Sequence, residues 1–592
     1  MLNKNKLIPV EVYTFREMIE KGFVYADKTD LLHRLITNEN LKKSFFLSRP
    51  RRFGKTMLLD TVAEIFNGDK EIFKDLKICQ TDYDFKKHPV IRFNMNLPSR
   101  TPKQLEKELV ECLKSLADLE KLNLRINSYV TGLSDLIHAV CDKYQEKVVI
   151  LIDEYDDPVS SKLNKLDLAE EISSVLRTFY SGFKTCGPML RFAFVTGVTR
   201  YALMGISTGF NQLTDITLDP SYATICGFTL DEMDLYFSER YPRILKILKE
   251  KGYISTKLWS TYAPSESEES LDYEDFHEQA VRPESDLITV EDLKNEILNW
   301  YDGYSWDGKN YVLNPISILK FFEEADFARY WSKTSASKNI IIKLLEKIPF
   351  EFTEDKLKFV PLDDISAEDV GDHKPIPLFF QTGYLTVDKI TKKDGELYYS
   401  FKVPNLEIKK QYYGMLNNAL FQKLSGDSDG FQLIKELKKS LFKKDGKALS
   451  GILSAYFAGL PPVLQSKYSD PGLISLGSKL NYNEHFFHQL LWSLFWAVTQ
   501  KTRAEEPGAL GTPDLVVPLN KTTIIVIEIK YSKTADEEDL DKDLNKLATK
   551  ALEVIKKKKY GESYKLPWNN VITIGVGVCG RGDVLALFGE SD

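Results

Sequence analysis

The chain has 592 residues, which is enough for about three or four domains. Hydrophobic residues make up 43% of it and charged residues 28%, as in an ordinary globular protein. The formal net charge of -7 argues against a globally basic nucleic-acid binder, but it leaves room for a local stripe of Lys and Arg.

The N-terminal part alternates between strand and helix patterns. Amphipathic helices are predicted within residues 10–45, followed by an apolar strand at 44–48, a loop at 49–53 and a helix at 55–66. Further strands are predicted at 90–95, 148–152 and 192–196, with a helix at 166–184 between the last two. This alternation indicates an α/β domain with a parallel sheet, and the almost wholly apolar strand at 148–152 fits its centre.

The rest of the chain reads as a helical middle and a second α/β unit. An acidic, Ser/Glu-rich insertion covers 263–288, and 290–460 is mainly helical, with a turn at 301–304. An apolar helix at 484–498, strands at 515–517 and 523–531, a lysine-rich helix at 538–559 and a strand at 571–576 complete the pattern. The predicted domains are a P-loop domain at 1–235, a helical region at 236–345 for which a winged helix is one alternative, a mainly helical connection at 346–469, and a C-terminal domain at 470–592.

The loop at 49–56 fits a phosphate-binding P-loop. Gly54, Lys55 and Thr56 match the end of the G-x-x-x-x-G-K-[ST] pattern, whereas Arg49 stands at its first glycine. Backbone N–H groups at the helix start would hold the phosphates, Lys55 would reach the β- and γ-phosphate oxygens, and Thr56 would ligate Mg²⁺. A loop-to-helix turn with a solvated lysine is the alternative.

Two carboxylates, Asp153 and Glu154, follow the apolar strand at 148–152. This is the Walker B arrangement, in which Asp153 would hold the magnesium shell and Glu154 would activate the attacking water. Because both patterns occur in the right order, they predict ATP and Mg²⁺ as cofactors.

The next predicted strand ends in polar residues suited to the γ-phosphate. Thr196 or Thr199 could sense it, and Arg200 could stabilise transition-state charge in cis or across a subunit interface, with a structural arginine as an equal alternative. The candidate nucleotide-binding residues are Arg49, Arg51, Arg52, Phe53, Gly54, Lys55, Thr56 and Thr199.

A second constellation comprises Asp514, Glu528 and Lys530. Glu528 and Lys530 share one face of the strand at 523–531, and the turn at 518–522 folds Asp514 back beside them. Asp514 and Glu528 would hold Mg²⁺, and Lys530 would orient or polarise a water for attack on a phosphodiester. A solvent-facing ion pair is the alternative.

Weaker candidates surround this set. The candidates for a further metal-site acid are Glu484, Glu505 and Glu506. His485 and His488 are assigned packing or surface roles. The lysines at 556–559 would contact a phosphate backbone or form a solvated helix end.

These motifs together resemble those of AAA-ATPase-like proteins that carry a C-terminal PD-(D/E)xK nuclease-superfamily domain. The matching segments are 25–29 (YADKT), 48–56 (SRPRRFGKT), 153–156 (DEYD), 196–200 (TGVTR), 301–304 (YDGY), 381–385 (QTGYL) and the Asp514, Glu528 and Lys530 set. The resemblance covers nearly the whole chain, and Arg49 belongs to its pattern. It departs from that pattern twice, because the expected arginine before Asp514 is absent and Val554 stands where a glutamine is frequent.

The expected protein is therefore a P-loop ATPase joined through a helical middle to a restriction-endonuclease-like α/β domain. We expect ATP to gate engagement or cleavage of nucleic acid, with DNA favoured and a homo-oligomer left open. One alternative is a nucleotide-switched binding or signalling ATPase with an inactive nuclease fold, and another is an ATP-driven protein remodeller for which DNA is irrelevant.

Location follows from what the sequence lacks. The apolar runs are well short of the ~20 residues of a membrane helix, and residues 1–15 have no signal-peptide core. Six scattered cysteines without a Cys-x-x-Cys pair argue against zinc and fit a reducing compartment. We expect a cytoplasmic protein, or a nuclear one in a eukaryote, with no membrane partner.

Overall fold

A computed structural model gives the architecture of most of the chain. It describes residues 6–9, 12, 14–38, 42–163, 165–200, 207, 209, 213–250, 289–331, 357, 359–365, 375–412, 415, 430–458, 484–499, 502–504, 513–520, 523–533, 539–560, 570–580 and 583–589. The acidic insertion at 263–288, Glu505, Glu506 and the side chain of His485 lie outside the described parts.

The chain divides into two compact units. The first takes its described residues from Met1–Ile244, Ile297–Ile340 and Glu354–Lys409, and the second from Leu245–Glu296, Ile341–Thr353 and Lys410–Asp592. Residues from the predicted middle region thus belong to the same compact unit as the N-terminal sheet.

The first unit is built on a five-stranded sheet with the order β2-β3-β4-β1-β5. Its strands are β1 (Ser44–Ser48), β2 (Val90–Asn94), β3 (Val148–Asp153), β4 (Leu190–Gly197) and β5 (Leu213–Asp215). All neighbouring strands pair in parallel, which confirms the predicted fold class. Every residue of β1 and β3 is buried, because a central parallel strand is covered on both faces.

Helices surround this sheet. They are α1 (Phe15–Glu20), α2 (Thr29–Ile36), α3 (Lys55–Asn67), α4 (Pro102–Leu119), α5 (Tyr129–Tyr144), α6 (Asp157–Ser160), α7 (Leu166–Tyr180) and α8 (Leu230–Phe237). Single 3₁₀ turns lie at Lys70–Phe73, Lys77–Gln80, Ser181–Thr185, Gly187–Met189, Pro220–Tyr222 and Ser238–Arg240. Helix α3 starts directly after the loop that leaves β1, so the strand and the helix together define where the loop lies.

The middle of the chain is helical, as predicted, and it also contains a small sheet. The helices are α9 (Tyr241–Glu250), α10 (Val290–Tyr301), α11 (Pro315–Glu324), α12 (Leu362–Ile365) and α13 (Pro375–Thr382). The antiparallel strands are β6 (Val360–Pro361), β7 (Thr386–Lys393) and β8 (Glu396–Lys402). The sequence interpretation missed the β7–β8 hairpin, although Asp394-Gly395 is a strong signal for a two-residue turn with positive φ at both positions.

The second unit contains another five-stranded sheet, with the order β13-β12-β11-β10-β9. Its strands are β9 (Arg503–Ala504), β10 (Leu515–Pro518), β11 (Thr523–Ser532), β12 (Asn570–Cys579) and β13 (Asp583–Phe588). Only β11 and β12 pair in parallel. Strand β13 was not predicted, because the last strand was expected to be the one at 571–576.

Helices of the second unit are α14 (Gly430–Phe442), α15 (Gly446–Ala458), α16 (Glu484–Val498) and α17 (Leu540–Lys557). Ile524 and Val526 of β11 form an apolar cluster with Val516, Ile555 and Tyr560, which fixes α17 against the sheet. Among the described helices none is long and apolar enough to span a membrane.

Two glycines let α17 approach the sheet closely. Gly575 and Gly577 of β12 stand beside Glu528 and Lys530 of β11 in parallel register. A Cβ at Gly575 would lie 2.3 Å from the Ala548 carbonyl oxygen of α17. The helix therefore runs next to the charged end of β11.

Candidate functional site

The loop between β1 and α3 passes through left-handed backbone just before the helix begins. Gly54 precedes the helix with a φ of 92°, and Arg52 has a φ of 65°. Glycine adopts this left-handed region without steric cost, whereas an arginine must be held there by its surroundings. The N-terminus of α3 is thus presented to the loop, where its N–H groups suit a phosphate.

Lys55 lies inside this loop. Its Nζ donates hydrogen bonds to the carbonyl oxygens of Arg49 at 2.9 Å and Pro50 at 3.0 Å. Burial lowers the pKa of the Lys55 ammonium, and the neighbouring acidic residues, led by Asp153, oppose that shift. The ammonium is therefore held by loop carbonyls that a phosphate oxygen could replace.

Thr56 and Asp153 meet although they lie far apart in sequence. The Thr56 hydroxyl donates to Asp153 Oδ2 at 2.6 Å, and the Thr196 hydroxyl donates to Oδ1 of the same carboxylate at 2.6 Å. This contact joins the threonine and the aspartate that the sequence predicts as the Walker A and Walker B residues, the pair that would share a magnesium ion.

Glu154 follows with a left-handed backbone. Its φ is 51°, and its N–H donates to Asp153 Oδ1 at 3.1 Å. Burial is the main cause of its raised pKa, and the negative charge of Asp157 adds to it. The turn directs the chain away from β3 immediately after the strand ends.

The two residues after Glu154 hold the loop that follows β4, a role that the sequence interpretation missed. The Tyr155 hydroxyl donates to the Thr199 carbonyl at 2.8 Å. Asp156 accepts hydrogen bonds from the Val198 N–H at 3.0 Å, the Thr199 N–H at 2.7 Å and the Thr199 hydroxyl at 2.6 Å. The signal was available, because the four polar residues at 154–157, directly after a buried strand, mark the functional edge of a parallel sheet.

The predicted γ-phosphate contacts have protein partners. The Thr199 hydroxyl is bound by Asp156, and Arg200 Nη1 lies 2.6 Å from Asp215 Oδ2 on β5. The Arg200 N–H also donates to Gln381 Oε1 at 3.0 Å. A direct contact of either residue with nucleotide stays a prediction that requires these pairs to rearrange.

The loop arginines differ in their surroundings. Arg49 is fully buried, and its guanidinium donates to the carbonyl oxygens of Ser48, Thr217 and Tyr222 at 2.9, 3.0 and 3.2 Å. Burial lowers its pKa to about 10. Arg51 pairs with Asp157, while Arg52 is exposed. Of these arginines, Arg52 and the partly exposed Arg51 are accessible to a phosphate as the chain stands.

The C-terminal candidates come together at the start of β10 and the end of β11. Lys530 Nζ lies 3.1 Å from Glu528 Oε1 and 2.9 Å from Glu484 Oε1 of α16, and it donates to the Ile529 carbonyl at 2.8 Å. Asp514 Oδ2 accepts the Ile529 N–H at 2.7 Å. The two carboxylates and the lysine are thus neighbours, and Glu484 joins them.

Glu528 is the most perturbed of these groups. Only 6% of it is exposed, and burial, reinforced by the charge of Asp514, raises its pKa to about 7. Burial likewise raises the pKa of Asp514. Glu528 Oε2 has no hydrogen-bond partner among the described residues, and a buried carboxylate oxygen without a donor is costly.

His488 of α16 holds the backbone of Asp514. Its Nε2 lies 2.6 Å from the Asp514 carbonyl oxygen, and since a carbonyl can only accept, this nitrogen carries the hydrogen. The histidine is buried, as a packing role predicts, but it also makes a specific bond. Its spacing of one helical turn from Glu484 was the signal that could have revealed this role.

The donor set fits a divalent cation in part. No group of three or more His, Cys, Asp or Glu side chains arranged for a metal occurs among the described residues. Asp514, Glu528 and the Ile529 carbonyl nevertheless offer oxygen ligands, the type that Mg²⁺ prefers. The unpartnered Glu528 Oε2 is the observation that favours a cation here.

Comparisons with known proteins assign both parts to families. Residues 9–207 match the family model described as predicted AAA-ATPase, and residues 482–586 match that of the PD-(D/E)XK nuclease superfamily. The chain therefore combines a predicted AAA-ATPase domain with a C-terminal domain of the PD-(D/E)XK nuclease superfamily, which confirms the resemblance.

A relative of similar length also exists. The chain is 27% identical over 576 residues to an uncharacterized protein in the vnfD 5' region of Azotobacter chroococcum mcd 1, and the alignment covers 96% of each chain. The alignment thus extends over both of the regions that match the family models.

Proposed function

We propose that this protein binds and hydrolyses ATP at the P-loop and that the nucleotide state controls nucleic-acid cleavage at the carboxylate–lysine site. The observation that carries the ATPase part is the hydrogen bond between Thr56 and Asp153. Thr56 and Asp153 would hold Mg²⁺, which supplies charge neutralisation to the β- and γ-phosphates when bound.

The side chains of the first site would then act in turn. The Lys55 ammonium exchanges its carbonyl partners for phosphate oxygens, and the amides at the start of α3 bind the same anion. Glu154 orients the attacking water and accepts its proton. Asp156 keeps the loop after β4 in place through its bonds to Val198 and Thr199.

The second site supports phosphodiester hydrolysis. Asp514 and Glu528 would hold Mg²⁺, which supplies a Lewis acid to the scissile phosphate when bound. Lys530 holds a water or the phosphate close to the two carboxylates, and His488 fixes the Asp514 backbone. DNA is the substrate that we favour, in keeping with the nuclease superfamily.

The alternative function is a nucleotide-switched binding or signalling ATPase with an inactive nuclease fold. Val554, in place of the glutamine frequent in similar proteins, favours this alternative. Val554 of α17 packs against the apolar cluster of Val516, Ile524, Val526, Ile555 and Tyr560, so it brings no polar group to the site.

Cleavage of DNA by the full-length protein separates the two functions. Supercoiled plasmid and single-stranded DNA are incubated with Mg²⁺ and with ATP, ADP or no nucleotide. We expect cleavage that falls roughly 100-fold in Glu528→Gln and that changes about tenfold with nucleotide state in the wild type. Glu553→Gln, at an exposed position of α17, is the matched control and should cleave normally.

The outcomes are distinct. Cleavage that Lys55→Ala makes indifferent to ATP supports gating. Absence of cleavage under every nucleotide condition, with DNA still bound, would establish the alternative. Cleavage that ignores nucleotide in the wild type, together with an ATPase rate that ignores DNA, would remove the gating proposal.

A further inference from the structure

Three aromatic residues from the middle of the chain, Tyr304, Trp306 and Trp331, pack against the loop at 49–53, and we call this set of contacts the aromatic clamp. The guanidinium carbon of Arg49 lies 3.9 Å from the ring centroid of Trp306, which is itself buried. The ring therefore covers the face of an arginine whose donors already point at three backbone carbonyls. Arg49 Nε has no hydrogen-bond partner among the described residues, so the ring stack and the three carbonyls are the contacts that hold this guanidinium there.

Other loop residues are held from the same direction. The Phe53 ring packs edge-on against Tyr304 at 4.8 Å and Trp306 at 5.6 Å between centroids. Trp331 Nε1 donates to the Arg51 carbonyl at 3.0 Å. All of these residues belong to the first compact unit.

Gly383 also packs closely against the loop, at Pro50. Gly383 lies so near the loop that an added Cβ would stand 2.9 Å from the Pro50 side chain. Four of the five residues between β1 and Gly54 are thus contacted by the segment around Tyr304 and Trp306, by Trp331 or by Gly383.

These contacts also affect Lys55, the lysine that we propose binds phosphate. The Lys55 ammonium rests on the carbonyls of Arg49 and Pro50, the two residues clamped by Trp306 and Gly383. A shift of the Arg49 carbonyl would therefore remove one of the two acceptors that hold the Lys55 ammonium. A standard P-loop relies on glycine at this position for its turn, whereas here the buried arginine side chain holds the turn from outside.

We propose that Trp306 is a positioning residue for nucleotide binding, acting through its stack on Arg49 to fix the loop carbonyls that place Lys55. The proposal rests on the proposed function, since the ligand is the nucleotide. It explains why Arg49 replaces a glycine without loss of the loop shape. It also predicts that a residue far from the P-loop in the sequence controls the affinity for nucleotide.

Substitutions separate this role from general stability. Trp306→Ala removes the ring that covers a desolvated cation, and we expect the Kd for nucleotide to rise roughly 10–30-fold. The kcat at saturating ATP should stay within about twofold, because the catalytic groups Glu154 and Asp153 are untouched. Trp306→Phe keeps an aromatic face and should restore most of the affinity.

Arg49→Gly gives a sharper test. It restores the standard P-loop glycine, so a loop that only needs glycine would bind nucleotide as well as the wild type or better. If the stack of Trp306 on Arg49 positions the loop, Arg49→Gly should instead bind nucleotide more weakly than the wild type. Trp300→Ala is the matched control, because Trp300 is a buried tryptophan of the same unit that packs on Phe327.

The experiment uses the full-length protein and a fluorescent, non-hydrolysable ATP analogue with Mg²⁺, and it adds steady-state kinetics and hydrogen exchange of amides 49–56 without nucleotide. Faster exchange and a raised Kd in Trp306→Ala but not in Trp300→Ala support the clamp. Equal affinities for nucleotide in Trp306→Ala and Trp300→Ala, or undiminished binding by Arg49→Gly, would overturn the positioning role of Trp306 but leave the proposed function intact. Failure of the wild type to bind nucleotide would overturn the proposed function as well.

Discussion

Asp153 and Glu528 are almost equally hidden from solvent, at 7% and 6% exposed, yet their partners differ. Asp153 accepts hydrogen bonds from the Thr56 and Thr196 hydroxyls and from the Glu154 N–H. Glu528 has Lys530 on one oxygen and no partner among the described residues on the other. The first site is thus satisfied by neutral donors, whereas the second retains an electrostatic deficit that a cation would fill.

The position of the charges within each sheet explains this difference. Asp153 and Glu154 lie where a parallel strand ends, so loops from neighbouring strands can supply donors. Glu528 and Lys530 lie within β11, beyond the last residue that pairs with β10, and their β12 neighbours Gly575 and Gly577 have no side chains that could donate to them. The comparison predicts that ATP turnover at the Asp153 site depends on the water-activating group Glu154. It also predicts that a divalent cation stabilises the protein through the Glu528 site.

Substitution of Glu154 should give the largest effect. If the first site is complete apart from nucleotide and Mg²⁺, Glu154→Gln removes only the proton acceptor, and turnover should fall roughly 10²–10⁴-fold while ATP still binds. Steady-state hydrolysis and equilibrium binding of the same preparation measure both quantities. Glu171→Gln, at an exposed position of α7, should behave as the wild type. Equal turnover in Glu154→Gln and wild type would remove Glu154 from catalysis.

A third hidden carboxylate, Glu407, tests how burial acts when neutral donors are present. It accepts the Trp331 N–H at 2.8 Å and the Ser317 hydroxyl at 2.7 Å, yet burial raises its pKa to about 7. A pKa raised above the unfolded value of 4.5 means that the folded protein binds the proton more tightly. The resulting stability is fully present below the unfolded pKa and is lost as pH rises to about 7.

Unfolding in urea between pH 5 and 8 measures this effect. The free energy of unfolding of the wild type relative to Glu407→Gln should fall by at most about 3 kcal/mol as pH rises through this window. Glu323→Gln, on the exposed side of α11, should keep the wild-type slope. A Glu407→Gln slope identical to the wild type would show that this carboxylate does not titrate near neutrality.

Sequence patterns predicted β1 to β4 of the first sheet and β10 to β12 of the second, but they missed β5, β9 and β13. Apolar runs lie within β1 and β3 and at 524–527 of β11, and the motif residues after each run follow from the chain order. The pairing of Thr56 with Asp153 was implied by the motifs themselves. The carboxylate–lysine set was predicted in the same way, from the alternation of side chains along β11.

The remaining features depend on contacts between segments distant in the chain. The burial of Arg49 could not be predicted, because the carbonyls of Thr217 and Tyr222 and the ring of Trp306 come from elsewhere in the sequence. The positions of Asp156 after β3 and of His488 one helical turn from Glu484 were visible in the sequence, but their partners were not, and their roles were missed. Such polar side chains look alike in sequence whether they face solvent or hold a neighbouring loop.

Divalent cations should give the smallest effect and the most direct comparison of Asp153 with Glu528. Without nucleotide, the first site satisfies Asp153 internally, so Mg²⁺ or Mn²⁺ should stabilise mainly the second unit. At a cation concentration about tenfold above Kd the gain is roughly 1.4 kcal/mol. Thermal unfolding of the nucleotide-free protein, with and without cation, measures it.

The control variants assign that gain to one site. Glu528→Gln removes the unpartnered oxygen's charge and should abolish the shift, whereas Asp153→Asn should leave it unchanged because the first site contributes little without nucleotide. A shift that survives Glu528→Gln but disappears in Asp153→Asn would reverse the comparison. In that case the hydroxyl partners of Asp153 would be weaker competitors for the cation than the Lys530 ammonium is at Glu528.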